Sequence, residues 1–266
     1  MLSIQNKHSR DCDISFVEES HEYFFRGQKI PTSVTSYIHL FFSDFDANQQ
    51  ADNIVNKKCK SETYEKYKNM TKNEIMTKWS EDGKKASAYG TKLHNDLEMF
   101  FNEKDTTEIH FQQMYTNDYP EYNYFVSFLQ DKHLDDLEPF RTEWMVYSND
   151  LGIAGSIDML FRKKSNPEEY VIYDWKRSKE IKYENRFGHG KGPVHTLDDC
   201  NYIHYSLQLN MYKFLLETYY DIKVKSLHLL ILHPNHDTYI KIDIPFMDSH
   251  INKLIEFRKK QLSLKK

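Results

Sequence analysis

The sequence is poor in the residues that make chains flexible or cross-linked. It contains eight glycines, seven prolines and three cysteines among 266 residues. So few glycines and prolines argue against a flexible tether between two domains. Cys12, Cys59 and Cys200 form no CxxC pair and no zinc-finger spacing, and an iron–sulfur cluster requires four cysteines. We therefore expect free or structural thiols and no iron–sulfur cluster.

Long apolar runs and strong net charge are also lacking. No run of about 18 apolar residues occurs, so no transmembrane helix is expected. The first 15 residues, MLSIQNKHSRDCDIS, have neither the apolar stretch of a secretory signal nor a clear transit peptide. An intracellular, soluble protein is expected, with cytoplasm, nucleus and viral factory left open. A net charge of −4 argues against binding to nucleic acid over the whole surface, but not against a basic groove beside an acidic metal site.

The residues that are present predict one α/β or α+β domain over 1–266. The hydrophobic fraction of 39% is enough for a core. Helical and strand patterns alternate along the chain: a hairpin at 14–30, a polar helical region at 44–85, helices at 86–104 and 121–133, strands at 142–148, 152–163 and 169–178, a helix at 205–220, two further strands and a terminal helix. The N-terminal hairpin and helical extension (1–85) precede a core at 86–266.

The segment YDWKRSKE, 173–180, carries the first candidate site. Asp174 and Lys176 lie on one face of a strand, because alternate residues share a face. A carboxylate that binds a divalent cation beside a lysine that orients water suits phosphodiester hydrolysis. An isolated DxK is more often an exposed ion pair than a catalytic site. Other residues are therefore needed to distinguish the two interpretations.

Asp158 is the second candidate. It stands among apolar residues in AGSIDMLF, where a charge is costly unless it is paired or bound to a metal. If the two strands are adjacent, Asp158 lies beside Asp174, and a divalent ion between them is favoured. The small residues Gly155 and Ser156 predict either close approach of a nucleic-acid backbone or tight packing.

Two helices add further candidates. YGTKLHNDLE places His94 and Glu98 on one helix face, with Gly90 leaving that face open to substrate. An imidazole ligand favours manganese beside magnesium. LQLNMYKFLLE places Gln208 and Tyr212 four residues apart, where each can bind phosphate or support the lysine. A histidine pair at His233 and His236 lacks a third ligand nearby and is disfavoured as a metal site.

Four motifs in this order, GTKLH, GSIDML, YVIYDWK and QLNMY, resemble those of the PD-(D/E)xK nuclease superfamily, RecB-type branch. The segment IPTSVTSYI and the chain length are similar to the mitochondrial genome maintenance exonucleases and their phage and large-virus relatives. The resemblance covers roughly residues 86–245. It implies a restriction-endonuclease-like core, in which helices flank a central mixed β-sheet.

The resemblance also implies roles for single residues. His94, Asp158, Asp174 and the carbonyl of Trp175 would bind one or two Mg²⁺ or Mn²⁺ ions, and Lys176 would be the catalytic lysine, supported by Gln208 and Tyr212. Glu143 stands where relatives carry a strand glutamate, either as a ligand of a second metal or as a structural residue. The expected partner is DNA, single-stranded or with a free end. Expected phosphate contacts are Arg177 and Ser178 after the strand, and Lys182, Arg186, His189 and Lys191 in the following loop.

The implied activity is a metal-dependent exonuclease on single-stranded DNA ends, in replication, repair or recombination. A structure-selective endonuclease stays open, because the region 44–85 could form an arch over the site or leave an open groove. A catalytically silent nucleic-acid-binding module of the same fold is the third alternative, and the intact set Asp158, Asp174 and Lys176 speaks against it.

Overall fold

The computed structural model describes residues 1–102 and 119–264. The chain divides into two compact units, Met1–Ser43 with His94–Lys266 and, separately, Asp44–Leu93. The predicted division at residue 85 differs from this one, because the hairpin near the N-terminus belongs to the same unit as the central sheet. None of the helices in the described ranges is both long and apolar enough to cross a membrane.

The larger unit contains two sheets. A small antiparallel sheet comprises β1 (Ile14–Val17), β2 (Glu22–Phe25) and β3 (Gln28–Lys29). In the described residues the central sheet has six strands: β4 (Thr32–Ser33), β5 (Leu137–Ser148), β6 (Ile153–Lys163), β7 (Glu169–Lys176), β8 (Lys223–Ile231) and β9 (Ile240–Ile244). The strands β5, β6 and β7 form an antiparallel meander, as predicted.

The central sheet is mixed. Strand β4 pairs with β6 and β7 pairs with β8 in parallel, whereas β8 and β9 are antiparallel. The described helices of this unit are α1 (Leu2–Gln5), α2 (Val34–His39), the end of α5 (Lys72–Asn102), α6 (Pro120–Gln130), α7 (Asn201–Tyr219) and α8 (Asp248–Ser263). The prediction of a central mixed sheet flanked by helices is therefore confirmed.

Helix α7 crosses between the parallel strands β7 and β8. Two parallel strands need such a crossover, because the chain must return to the starting end of the sheet before the second strand begins, and a tight turn joins only antiparallel strands. Its side chains Leu207, Met211 and Leu215 are fully buried and join the main core. This burial fixes the helix against the sheet, and it places Gln208 and Tyr212 at the end of β7.

The smaller unit, Asp44–Leu93, is helical. It contains α3 (Ala47–Val55), α4 (Ser61–Tyr67) and the first part of α5. The sequence predicts a solvated helical region here; the structure adds a small core of Ala51, Ile54, Tyr67 and Ile75. Trp79 Nε1 donates a hydrogen bond of 3.0 Å to the Tyr67 hydroxyl. Helix α5 begins 14 residues earlier than the predicted helix at 86–104.

Candidate metal centre and active site

Three acidic residues stand in a row across the meander. In the β5–β6 ladder, Thr142 pairs with Met159 and Trp144 with Ile157, which places Glu143 opposite Asp158. In the β6–β7 ladder, Met159 pairs with Tyr173, and one step further Asp158 faces Asp174. Residues opposite each other on neighbouring strands lie about 5 Å apart. Glu143, Asp158 and Asp174 thus place three carboxylates side by side on neighbouring strands.

His94, on α5, closes one side of this row. Its Nδ1 lies 3.5 Å from Glu143 Oε1 and 3.7 Å from Asp158 Oδ2. Its Nε2 lies 3.0 Å from the carbonyl oxygen of Trp175. In the tautomer that donates from Nε2 to this carbonyl, Nδ1 presents its lone pair to the two carboxylates. The Trp175 carbonyl therefore fixes the orientation of the imidazole, as hydrogen-bond partners of metal-binding histidines do.

The donor atoms of His94, Glu143 and Asp158 fit a divalent cation. These three atoms all lie within 4.8 Å of one another. Mg²⁺ and Mn²⁺ hold their ligands at about 2.0–2.2 Å, so neighbouring ligand atoms lie about 3 Å apart and opposite ones about 4.3 Å apart. One imidazole with carboxylate oxygens is a donor set that suits manganese and magnesium. The predicted ligands His94 and Asp158 lie in this group together with Glu143. Asp174 is not in it, and its role as a ligand stays a prediction, as does that of the Trp175 carbonyl.

The backbone of Glu143 has an unusual conformation. Its φ angle is +41°, a region that non-glycine residues rarely adopt within a strand. The Ser156 hydroxyl donates a hydrogen bond of 2.9 Å to Glu143 Oε2. Such outliers persist where the surroundings hold them, and they concentrate at functional sites. A cavity of about 200 Å³ lies beside Glu143, and Met1, Glu98 and Asn102 are among the residues that line it.

Asp174 and Lys176 form the other side of the row. Lys176 Nζ lies 2.6 Å from Asp174 Oδ2, and the Asp174 side chain is 2% exposed. Gln208 Nε2 is 3.4 Å from both Asp174 Oδ1 and the Tyr212 hydroxyl. The structure therefore brings together four residues that the sequence placed in one site.

Burial and neighbouring charges shift the pKa values of the residues in this row. Burial raises the pKa of Asp158 and of Asp174 above the ordinary range, although His94 and Lys176 oppose this shift. Burial alone would lower the pKa of His94, but Asp158 and Glu143 outweigh it and raise that pKa to about 9. Burial would likewise lower the pKa of Lys176, but Asp174 and Asp158 raise it above its ordinary value. Lys176 is therefore a persistent cation.

Tyr212 fills the space beside Gly155. A Cβ atom on Gly155 would lie 2.7 Å from Tyr212 Cε1 and 3.2 Å from Val34 Cγ2. The sequence left open whether Gly155 admits a nucleic-acid backbone or allows tight packing; the structure shows tight packing. Ser156 was predicted to bind substrate, and its hydroxyl instead contacts Glu143.

The predicted phosphate contacts after β7 have different surroundings. Arg177 Nε lies 2.6 Å from Glu121 Oε1, and these side chains are only 12% and 4% exposed. Arg177 therefore neutralises a buried carboxylate, and its predicted contact with phosphate is not supported. The Ser178 hydroxyl donates to the carbonyl of Glu180. The loop side chains Lys182, Arg186, His189 and Lys191 are exposed, as a contact with substrate requires.

Two further predicted residues, Gly90 and Glu98, have different surroundings. Gly90 lies in the smaller unit, and no described atom lies within 4 Å of a Cβ added there. Burial and the charge of Glu143 raise the pKa of Glu98. Sequence reasoning missed Tyr23, whose pKa is raised to about 12 by burial and by Glu143 and Asp158. It also missed Tyr205, whose ring centroid is 5.2 Å from Lys176 Nζ. Neither tyrosine stands in a recognisable motif.

Comparisons with known proteins name no family. No family model matches the chain, and no curated protein matches it. A solved structure entitled "Crystal structure of SSO0001" is 13% identical, with 86% of this chain and 76% of that chain covered and a TM-score of 0.33. A likeness at this TM-score carries no argument about fold or function.

Proposed function

We propose that this protein is a divalent-metal-dependent deoxyribonuclease that hydrolyses phosphodiester bonds at the ends of single-stranded DNA. The observation that carries the proposal is the row Glu143, Asp158 and Asp174 on neighbouring strands, with His94 at one side and Lys176 at the other. Carboxylates that bind a divalent cation, beside a lysine ammonium, suit the hydrolysis of a phosphodiester, because both cations stabilise the negative charge of the phosphate. The same residues carry the resemblance to the PD-(D/E)xK nucleases.

His94, Glu143 and Asp158 would hold the Mg²⁺ or Mn²⁺ ion. When bound, the ion supplies Lewis-acid activation of water and neutralises phosphate charge. The Trp175 carbonyl and the Ser156 hydroxyl hold His94 and Glu143 in place. The raised pKa of Asp158 indicates that a cation at this position relieves an unfavourable buried charge.

Lys176 acts as a cation, because its Nζ lies 2.6 Å from the Asp174 carboxylate. Its ammonium, fixed by Asp174, orients the attacking water and stabilises charge on the phosphate oxygens. The water oxygen forms a bond to phosphorus and loses a proton to solvent, while the ester P–O bond breaks and the leaving oxygen takes a proton from solvent. The reaction needs no further co-reactant. Gln208, close to both Asp174 and Tyr212, restricts the Asp174 carboxylate.

Cleavage assays test the activity. Linear and circular DNA, single- and double-stranded, are incubated with the protein in Mg²⁺ or Mn²⁺. We expect loss of linear single strands only, and loss of activity in Lys176→Ala and Asp174→Asn. Lys259→Ala and Asp150→Asn change exposed residues and serve as matched controls. Cleavage of circular DNA would favour an endonuclease. No cleavage by the wild type, or cleavage that survives both site variants, would refute the proposal.

Metal binding is tested separately from activity. Electron paramagnetic resonance of free Mn²⁺ measures its affinity for the wild type and for His94→Ala and Asp158→Asn. Weakening of at least about tenfold is expected in both variants, given the effect of disturbed metal sites. Equal affinity in all three proteins would exclude this cluster as the metal centre.

A further inference from the structure

Hydrogen bonds hold the loop that follows β7 against the start of α7. The Lys182 amide donates a hydrogen bond of 2.8 Å to Asn201 Oδ1, and Asn201 Nδ2 donates one of 2.8 Å to the Glu180 carbonyl. The Tyr202 amide donates to the Lys182 carbonyl at 3.3 Å. These bonds hold residues 180–182 beside the helix that carries Gln208 and Tyr212.

A row of three tyrosine rings leads outward from the site. The Tyr205 ring lies 5.2 Å from Lys176 Nζ. Tyr202 is one helical turn before Tyr205, so both rings lie on the same side of α7. The Tyr183 ring contacts the Tyr202 ring with a centroid distance of 4.8 Å, and Tyr183 is 56% exposed. The row thus runs from the catalytic lysine to solvent.

Phe187 is a further exposed ring in the same loop as Tyr183. The Phe187 side chain is 99% exposed, although its loop is held by specific hydrogen bonds. The Asn185 amide donates to Asp198 Oδ2 at 2.9 Å, Asn185 Nδ2 donates to the Asp199 carbonyl at 2.8 Å, and the Phe187 amide donates to Asn185 Oδ1 at 3.2 Å. The Phe187 ring adds nothing to the core and is available for a contact outside the chain.

Basic side chains accompany the rings. Lys182 and Arg186 are 64% and 79% exposed, and their acidic neighbours Glu180 and Glu184 lie 3.9 and 3.6 Å away, also in solvent. Such exposed pairs contribute little and leave both cations available. Residues 179–191 contain four lysines or arginines and two glutamates, in a chain whose net charge is −4. Positive charge beside stacked rings is the combination that binds single-stranded nucleic acid.

We propose that Tyr183, Tyr202, Tyr205 and Phe187 form a surface on which the bases of single-stranded DNA stack, while Lys182 and Arg186 contact its phosphates. The inference rests on the proposed function, because it places the strand beside Lys176. Stacking on aromatic rings tolerates any base sequence. The surface therefore sets the affinity for single strands and the number of nucleotides bound, without selecting a sequence.

The test uses the double variant Tyr183→Ala/Phe187→Ala. The KM for a 20-nucleotide single strand should rise at least about fivefold, the lower end of the effect of losing one base–aromatic stack. The kcat at saturating DNA should not change, because the two substitutions leave the row of Asp158, Asp174 and Lys176 intact. Tyr183→Phe/Phe187→Trp keeps both rings and should retain the wild-type KM. Phe246→Ala removes another exposed ring, which lies over Lys213, and serves as the control.

A binding assay separates the two proposals. Quenching of 2-aminopurine in a single strand, measured in Ca²⁺, reports stacking whether or not cleavage occurs. An unchanged KM together with unchanged quenching in the double variant refutes the stacking surface and leaves the nuclease proposal intact. A wild type that quenches but cleaves nothing refutes the nuclease proposal, and the loss of quenching in the double variant still supports the surface.

Discussion

Gly155→Ala tests the packing that places Tyr212 in the site. A methyl group here would lie 2.7 Å from Tyr212 Cε1 and 3.0 Å from its hydroxyl, whereas ordinary contacts begin at about 3.4 Å. The Tyr212 ring is only 3% exposed, so it cannot swing into solvent. It must shift by roughly 0.7 Å to restore an ordinary contact. Overpacking of this kind costs about 1–3 kcal/mol of unfolding free energy.

Thermal and urea denaturation measure this cost. Because each kcal/mol corresponds to about 2–4 °C in a protein of this size, the Tm should fall by about 2–12 °C. Activity should fall as well, since the shifted Tyr212 hydroxyl moves away from Gln208. Gly83→Ala is the matched control: no described atom lies within 4 Å of the added methyl, and alanine favours the helix by up to about 1 kcal/mol.

A double-mutant cycle identifies the cause. In a Tyr212→Leu background, Gly155→Ala should cost less than it does in the wild type, because the ring it displaces is absent. A wild-type Tm for Gly155→Ala, or an equal cost in both backgrounds, would contradict the assignment of Gly155 to close packing.

Three further predictions concern single groups. Glu143→Gln should weaken Mn²⁺ binding at least about tenfold by paramagnetic resonance, whereas Glu138→Gln on the same strand should leave it unchanged. Arg177→Ala should cost about 3–5 kcal/mol in urea unfolding, because it removes the partner of the buried Glu121 carboxylate; a loss under 1 kcal/mol would show that the pair is not buried. Burial lowers the pKa of His228 from 6.5 to about 4, so the unfolded chain takes up a proton first as the pH falls. His228 alone should then lower the stability by about 2 kcal/mol between pH 7 and 5, and the drop in His228→Gln should be smaller than that in the wild type by about this amount.

The sequence predicted the central meander and the pairing of its acids. The apolar runs around Asp158 and Asp174 mark adjacent strands, and a short connection requires antiparallel pairing. Asp174 and Lys176 share a face by alternation alone. These relations are local, so they can be read from residue spacing.

Other parts of the site depend on contacts that spacing does not specify. The position of Glu143 opposite Asp158 follows from the register of the β5–β6 hairpin, in which Ser148 pairs with Ile153, and a shift of one residue would exchange the two faces of a strand. Arg177 looked like a phosphate contact because its partner, Glu121, is 56 residues away in sequence. Tyr23 reaches the acids from a separate small sheet. Apolar residues are too sparse in 72–85 to predict the first half of α5, so the predicted helix began at residue 86.

The order of the strands has a consequence for folding kinetics. Glu143, Asp158 and Asp174 lie within 32 residues of chain and meet through two successive hairpins, which close quickly. The parallel pairing of β7 with β8 instead closes a loop of more than 40 residues through α7, which is slower. We therefore expect the carboxylates to come together before Gln208 and Tyr212 arrive. Divalent cations in the refolding buffer should speed the early phase, in which the hairpins form, more than the late docking of the helix.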